Sequence, residues 1–317
     1  MIKELGALTW IDFQFSSDKE LREYLDEVNG GKYADKLLEK DFYLTALLGW
    51  ISKELPMLSF KWWTCLNKIH FPYFRLSEDL DFSMDATDPL VDNPWKRERF
   101  ATKTKEKLQL VADTMWRSFD RRNDRARWNK YLWNKKFTYL KYTLWYKSLY
   151  WWDDTIKIEV TYTHKQHIPS VMKAIKNEFI DIVSEESIFP YAEINCYALE
   201  EMIAEKTRAA LTREKPAIRD FFDLWYLKFE EWIDITSDMD LIAEKCEDSD
   251  WRWTIYDFVP SREEPDVIQM SYPFLKNQID EYLIPVLINK SDFSLKDIYD
   301  ILKNVKNILV EKYQWPN

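Results

Sequence analysis

Hydrophobic positions recur along this chain with two different periods, and the change of period divides it. Ser17-Asp-Lys-Glu20 fits a capping box and Gly30-Gly31 a helix stop, which predicts a helix over 17–29. Leu37, Leu38, Phe42, Leu44, Leu47, Leu48 and Ile51 fall at helical spacing, predicting a second helix over 33–54, with Pro56 beyond its end. Residues 58–61 predict a short strand, and 64–69 a helical turn or two. Residues 76–84 alternate around Leu80 and Phe82, which predicts a strand. Residues 96–119 read as a helix. Residues 137–150 and 155–163 read as two strands joined by a tight turn at 151–154. From about 168 the pattern turns helical, with helices over 199–211 and 217–227, Pro216 suiting the first turn of the latter. Ser294 with Asp297 opens a last helix to about Tyr313. An α+β fold follows: a mixed sheet with flanking helices over 1–167 and a mainly helical C-terminal lobe over 168–317.

Composition narrows the class. The 317 residues are 46% hydrophobic and 32% charged, enough apolar material for a buried core. No run approaches the ~18 unbroken apolar residues of a membrane span, so no membrane partner is expected. Residues 1–15 lack a basic start followed by an apolar core, so no secretory leader is expected. Three cysteines are too few for a disulfide scaffold, and a cytoplasmic protein is expected.

The net charge of −10 argues against a protein that coats nucleic acid. It conceals a basic block. Residues 96–147 hold 16 Lys or Arg against 5 Asp or Glu, interleaved with Trp116, Phe119, Trp128, Tyr131, Trp133 and Phe137. Such a block is either a solvated helix face and strand or a groove for a nucleic-acid strand. Lys135, Lys136 and Lys141 are its candidate RNA contacts.

The sharpest chemical feature is Ser77-Glu-Asp-Leu-Asp-Phe82. On a strand Asp79 and Asp81 share a face, opposite Leu80 and Phe82. A D-x-D pair is often only solvated. Flanked by apolar strand residues it also suits a hard cation such as Mg²⁺, which takes further oxygens from phosphate. In 155–161, Ile156, Ile158 and Val160 share one face, Lys157 and Glu159 the other. If that strand lies beside the first, Glu159 completes a three-carboxylate site for two Mg²⁺ ions and phosphoryl or nucleotidyl transfer. His164 and His167 (H-x-x-H) read as surface histidines, Cys65 as small core filler, Trp251 and Trp253 as packing.

Phe60-Lys-Trp-Trp-Thr-Cys-Leu-Asn-Lys68 followed by Phe74-Arg-Leu-Ser-Glu-Asp-Leu-Asp81 resembles the AbiEii-type toxins of the DNA polymerase β nucleotidyltransferase superfamily, with their F-K-G-G-T-x-L-x-K turn and R-x-S-x-D-x-D strand. Glu201-Met-Ile-Ala-Glu-Lys-Thr-Arg-Ala-Ala-Leu-Thr-Arg213 and Ile218-Arg-Asp-Phe-Phe-Asp-Leu224 resemble a downstream block of that family. The resemblance implies a nucleotidyltransferase-like sheet whose cleft the helical lobe closes. It implies that Asp79, Asp81 and Glu159 hold Mg²⁺ and that Lys206 contacts the triphosphate. Trp62, Trp63, Thr64, Lys68, Ser77, Arg208, Arg219, Asp220 and Asp223 would line the nucleotide site. Lys206, Arg213, Arg219, Asp220 and Asp223 equally suit a salt-bridge network on helix faces. The implied activity is Mg²⁺-dependent transfer of a nucleoside monophosphate from an NTP to a tRNA 3′ end, by the toxin of a toxin–antitoxin or phage-defence pair with a cognate antitoxin. Alternatives are an antibiotic-modifying nucleotidyltransferase, or a family member with a blocked site that only binds a partner.

One departure stands out. The family's Gly-Gly is Trp62-Trp63 here, where glycine lets backbone N–H groups approach a phosphate. The chain has only 4 Gly, none after Gly49, against about 22 at ~7% usage. It has 16 Trp. The two anomalies together predict that some of these tryptophans stand where the source reads a stop-type codon as glycine.

Overall fold

The computed structural model describes residues 15–115, 138–150, 152–162, 165–213, 216–248, 267–287 and 293–313. The chain divides into two compact units, one of residues 1–164 with 170–197, the other of 165–169 with 198–317.

In the first unit, α1 (Asp18–Asn29) starts where Ser17 accepts a hydrogen bond from the Glu20 N–H and stops at Gly30 in the left-handed region. It is followed by α2 (Asp35–Glu54), β1 (Ser59–Lys61), α3 (Trp62–Cys65) running into a π-helical turn (Leu66–His70), and β2 (Asp79–Ser83). Then come α4 (Pro94–Met115), β3 (Tyr139–Lys147), β4 (Asp153–Thr161), β5 (Val171–Ala174) and β6 (Glu193–Cys196). The strands form one mixed sheet in the order β3-β4-β2-β1-β6-β5. β2 runs parallel to β4 and β1 parallel to β6, and the other neighbours are antiparallel.

Alternation sorts the side chains onto two faces. Leu80, Phe82, Leu140, Tyr142, Leu144, Tyr146, Ile156, Ile158 and Val160 are buried on one face. Burial of each large apolar side chain contributes roughly 1.5–3 kcal/mol. Two helices meet that face: the Tyr142 hydroxyl donates to the Ala101 carbonyl of α4, and the Tyr43 ring of α2 lies 4.8 Å from that of Tyr146. Three consecutive charges anchor α2. Glu39 accepts from the Ser148 hydroxyl (2.6 Å) and the Leu149 N–H, Lys40 pairs with Asp154 (3.2 Å), and Asp41 pairs with Lys68 (2.8 Å). The anchors tie α2 to the β3–β4 connection on one side and to the π turn on the other.

The second unit, described by itself, holds α5 (Leu199–Thr212), α6 (Ile218–Phe229), α7 (Met239–Asp248), α8 (Val267–Gln278) and α9 (Leu295–Tyr313). Pro216 precedes the N-cap Ala217 of α6 instead of lying in its first turn, and Gln278 donates to its carbonyl. Glu201, buried on α5, accepts from the backbone N–H groups of His167 and Ile168 and pairs with Lys245. No helix among the described residues is long and apolar enough to cross a membrane.

Strands β5 and β6 lie where the sequence pattern reads as helical. β5 is half exposed, so it shows no clean alternation. The broader expectation stands: the protein is a mixed α+β fold.

Among the described residues three non-glycines have positive φ: Trp62 (62°), Glu185 (57°) and Trp232 (56°). Trp232 lies just past the Glu230 C-cap of α6, in a turn where the Ile233 N–H donates back to the Leu227 carbonyl, and the residue is 85% exposed. A left-handed non-glycine costs roughly 1–2 kcal/mol, and an exposed indole returns little packing. Allowing for the greater unfolded-state freedom of glycine, Trp232→Gly is expected to raise stability by about 0.5–1 kcal/mol. Urea denaturation would show this as a higher midpoint at unchanged slope.

Candidate active site

β2 and β4 lie side by side, so the carboxylates of both strands share the face opposite the apolar one. In the parallel register Asp79 is opposite Lys157 and Asp81 opposite Glu159. The row continues across the sheet, since Lys61 of β1 is opposite Asp81 and Lys141 of β3 is opposite Glu159. Four strands thus present Lys61, Asp81, Glu159 and Lys141 in line, two acids between two cations. Lys141 lies 2.9 Å from Glu159 and Lys157 3.7 Å from Asp79. Tyr139 hydrogen-bonds Glu159. Burial first, then the charge of Glu159 and that bond, push its phenol well above the usual range.

The Asp79 carboxyl is held above its ordinary value chiefly by burial. Lys157 opposes the shift, while Glu159 and Glu78 add to it. Carboxylates are the hard-oxygen donors that Mg²⁺ takes. Asp79, Asp81 and Glu159 share this face of the sheet, but they are not among the groups whose donor atoms lie within 4.8 Å of one another.

The turn before the site is tied to β2. The Thr64 hydroxyl is buried, 2.7 Å from Ser77 Oγ, and donates to the Asp79 carbonyl. Trp62 opens α3 at φ 62°, and Lys61 Nζ stands 5.0 Å from its ring centroid. The Arg75 guanidinium stacks 4.2 Å from the Trp63 ring.

Lys68 is not brought to the carboxylate row. Its fully buried ammonium meets Asp41, Thr45 Oγ1 (2.7 Å) and the Tyr73 hydroxyl (2.6 Å). Burial lowers its pKa, with Asp41 opposing. Lys206, Asp220 and Asp223 come together in the second unit. Lys206 Nζ lies 3.4 Å from Asp220 and 3.6 Å from Asp223, and Arg213 lies 2.8 Å from Asp220. Arg208 lies along α5 against Thr212 and Glu205, and Arg219 donates to the Tyr282 carbonyl. Lys135, Lys136, His164, Trp251 and Trp253 lie outside the described residues. His167 contacts Glu244 (2.7 Å).

The sequence alone does not single out Lys61 and Tyr139, and it places Lys157 on the face of Glu159 without linking it to Asp79. Their link to the acids is cross-strand register, although Tyr139 and Lys141 do alternate with Leu140 and Tyr142. It also misses a thiol–imidazole cluster. Cys65 is buried, as a small core residue would be, but its sulfur, that of Cys196 and a His70 ring nitrogen lie within 4.8 Å of one another. Hydrogen bonds from Cys65 and His70 hold the Cys196 thiol low, at about 6, while burial pushes Cys65 up. These donors suit a softer ion such as Zn²⁺, though a closed structural site takes four ligands.

The mixed sheet thus sets the D-x-D strand directly beside the strand that carries Glu159. The family model described as "Nucleotidyl transferase AbiEii toxin, Type IV TA system" matches residues 52–303, and the chain belongs to that family. No curated protein matches it. A toxin of this type implies a cognate antitoxin and, as a nucleotidyltransferase, an NTP substrate.

Two outcomes follow from the charges. Asp79 has a higher pKa folded than unfolded, so its contribution to stability is full below the ordinary value of 3.8 and is lost as pH rises through the folded value. Asp79→Asn should therefore stabilise the metal-free protein at pH 7 by up to ~1 kcal/mol, partial exposure limiting the gain. The advantage should shrink below pH 4 in thermal melts. Asp41→Asn leaves Lys68 buried without its counter-charge and should cost about 3–5 kcal/mol in denaturant titration.

Proposed function

We propose that this chain transfers a nucleoside monophosphate from an NTP to the 3′ end of a tRNA, and that this modification is the toxic activity. The observation that supports the reading most is the register placing Asp81 against Glu159, with Asp79 one step along the same face. In this reading Asp79, Asp81 and Glu159 hold Mg²⁺, which when bound neutralises triphosphate charge. The acceptor 3′-oxygen bonds to the α-phosphorus and loses its proton, while the bond from that phosphorus to the bridging oxygen breaks and pyrophosphate leaves. Lys141 and Lys157 balance the carboxylates before substrate arrives and offer cations for phosphate oxygens afterwards. Lys61 closes the row on the β1 side. The basic block at 96–147 supplies the RNA-binding surface. Because Lys141 contacts Glu159, its substitution affects the chemistry as well as binding, so Lys135 and Lys136 are the cleaner test of that surface.

A second reading has one observation in its favour. Trp62 and Trp63 occupy the turn leading to the site, and Trp62 takes a backbone conformation suited to glycine. With those indoles in place the chain would act by binding a partner only.

Incubation with Mg²⁺, each α-labelled NTP and total tRNA separates the two. Labelled tRNA is expected, falling by about 10²-fold or more in Asp81→Ala. If the parent chain is silent, label restored by Trp62→Gly with Trp63→Gly would keep the transferase reading. Continued silence would leave the binding-only one.

A further inference from the structure

We infer that positions 62 and 232 of the natural protein are glycine, encoded by a codon that the source reads as glycine and that is rendered here as tryptophan. Backbone geometry carries this independently of composition. Bulky residues at positive φ are outliers, because the Cβ crowds the adjoining backbone. Trp makes up 16 of 317 residues, so chance would put it at about one in twenty such positions. It occupies two of the three found among the described residues.

The two residues belong to different units of the chain. Trp62 begins the turn after β1, and Trp232 lies in the turn just past a helix of the second unit. A cause acting on the codon reaches both, whereas selection for an indole at a nucleotide site would reach only the first. The side chains agree with the backbones. Trp232 is 85% exposed. Trp225, by contrast, is buried among Phe222, Phe229 and Phe293, with ring centroids 5.6–6.0 Å away, and its helical backbone makes no demand for glycine. Trp225 is therefore expected to be a true tryptophan. Glycine at 62 and 232 would move the glycine deficit and the tryptophan surplus in the same direction, by two residues each.

A glycine at 62 changes the site. The indole that stands 5.0 Å from Lys61 Nζ is gone, next to the residue that pairs in register with Asp81. That consequence rests on the nucleotidyltransferase reading, but the residue assignment does not.

The test is peptide mass spectrometry of the protein isolated from its own source, with the gene read alongside. The expected result is one shared non-standard codon at 62 and 232, peptide masses showing glycine at both, and the ordinary tryptophan codon at 225. An ordinary tryptophan codon at 62 or 232, or a tryptophan mass at either, would overturn the inference. A glycine mass at 225 would overturn the backbone criterion on which it stands. None of these readouts depends on activity, so failure here is distinct from failure of the transferase reading.

Discussion

Two like charges held side by side are the constraint on which the rest of this structure turns. Asp81 and Glu159 are register partners on adjacent parallel strands, an arrangement that opposes pairing unless cations answer it. The pairing holds because Leu80 and Phe82 on one strand and Ile158 and Val160 on the other are buried on the opposite face. A slip of one residue would turn the carboxylates into the core and the apolar side chains out. The hydrophobic pattern therefore sets the chemistry. It puts Asp79, Asp81 and Glu159 on one face of the sheet, with Lys61, Lys141 and Lys157 at neighbouring register positions.

The surrounding structure keeps that face in place. α2 reads as an ordinary amphipathic helix, yet Glu39, Lys40 and Asp41 are all buried and each grips a different segment. The Asp41–Lys68 pair fixes the π turn that follows α3, and Thr64 fixes α3 to the start of β2 through Ser77 and the Asp79 carbonyl. Within the motif 60–68, Lys68 thus holds the turn from behind, while Lys61 faces the carboxylates. In the second unit, Lys206 with Asp220 and Asp223 is a buried charge network of the same kind, built between α5 and α6.

Much of this was legible in the sequence, for identifiable reasons. Ser17 and Gly30 mark the ends of α1 because caps are local. The alternation of 155–161 marks both faces of β4. The candidate acids stand out because D-x-D and Glu159 sit between apolar strand positions. Their adjacency was conditional on strand pairing, which is a non-local fact. The same limit hid Lys61 and the Cys65–His70–Cys196 cluster, whose members are joined by β1–β6 pairing across more than a hundred residues. β5 was hidden because a short, half-exposed strand lacks a period. The glycine deficit was visible as composition, but only the backbone at 62 and 232 says which tryptophans are out of place.

The proposed function requires Asp79, Asp81 and Glu159, set on one face by the register of β2 and β4, to bind a divalent cation. The most direct measurement is binding of Mn²⁺, standing in for Mg²⁺, followed by electron paramagnetic resonance in the parent chain, Asp81→Asn and Glu159→Gln. The parent chain is expected to bind, and each substitution to weaken binding by more than ~10-fold. Absence of binding to the parent chain, or unchanged binding by Glu159→Gln, would overturn this site.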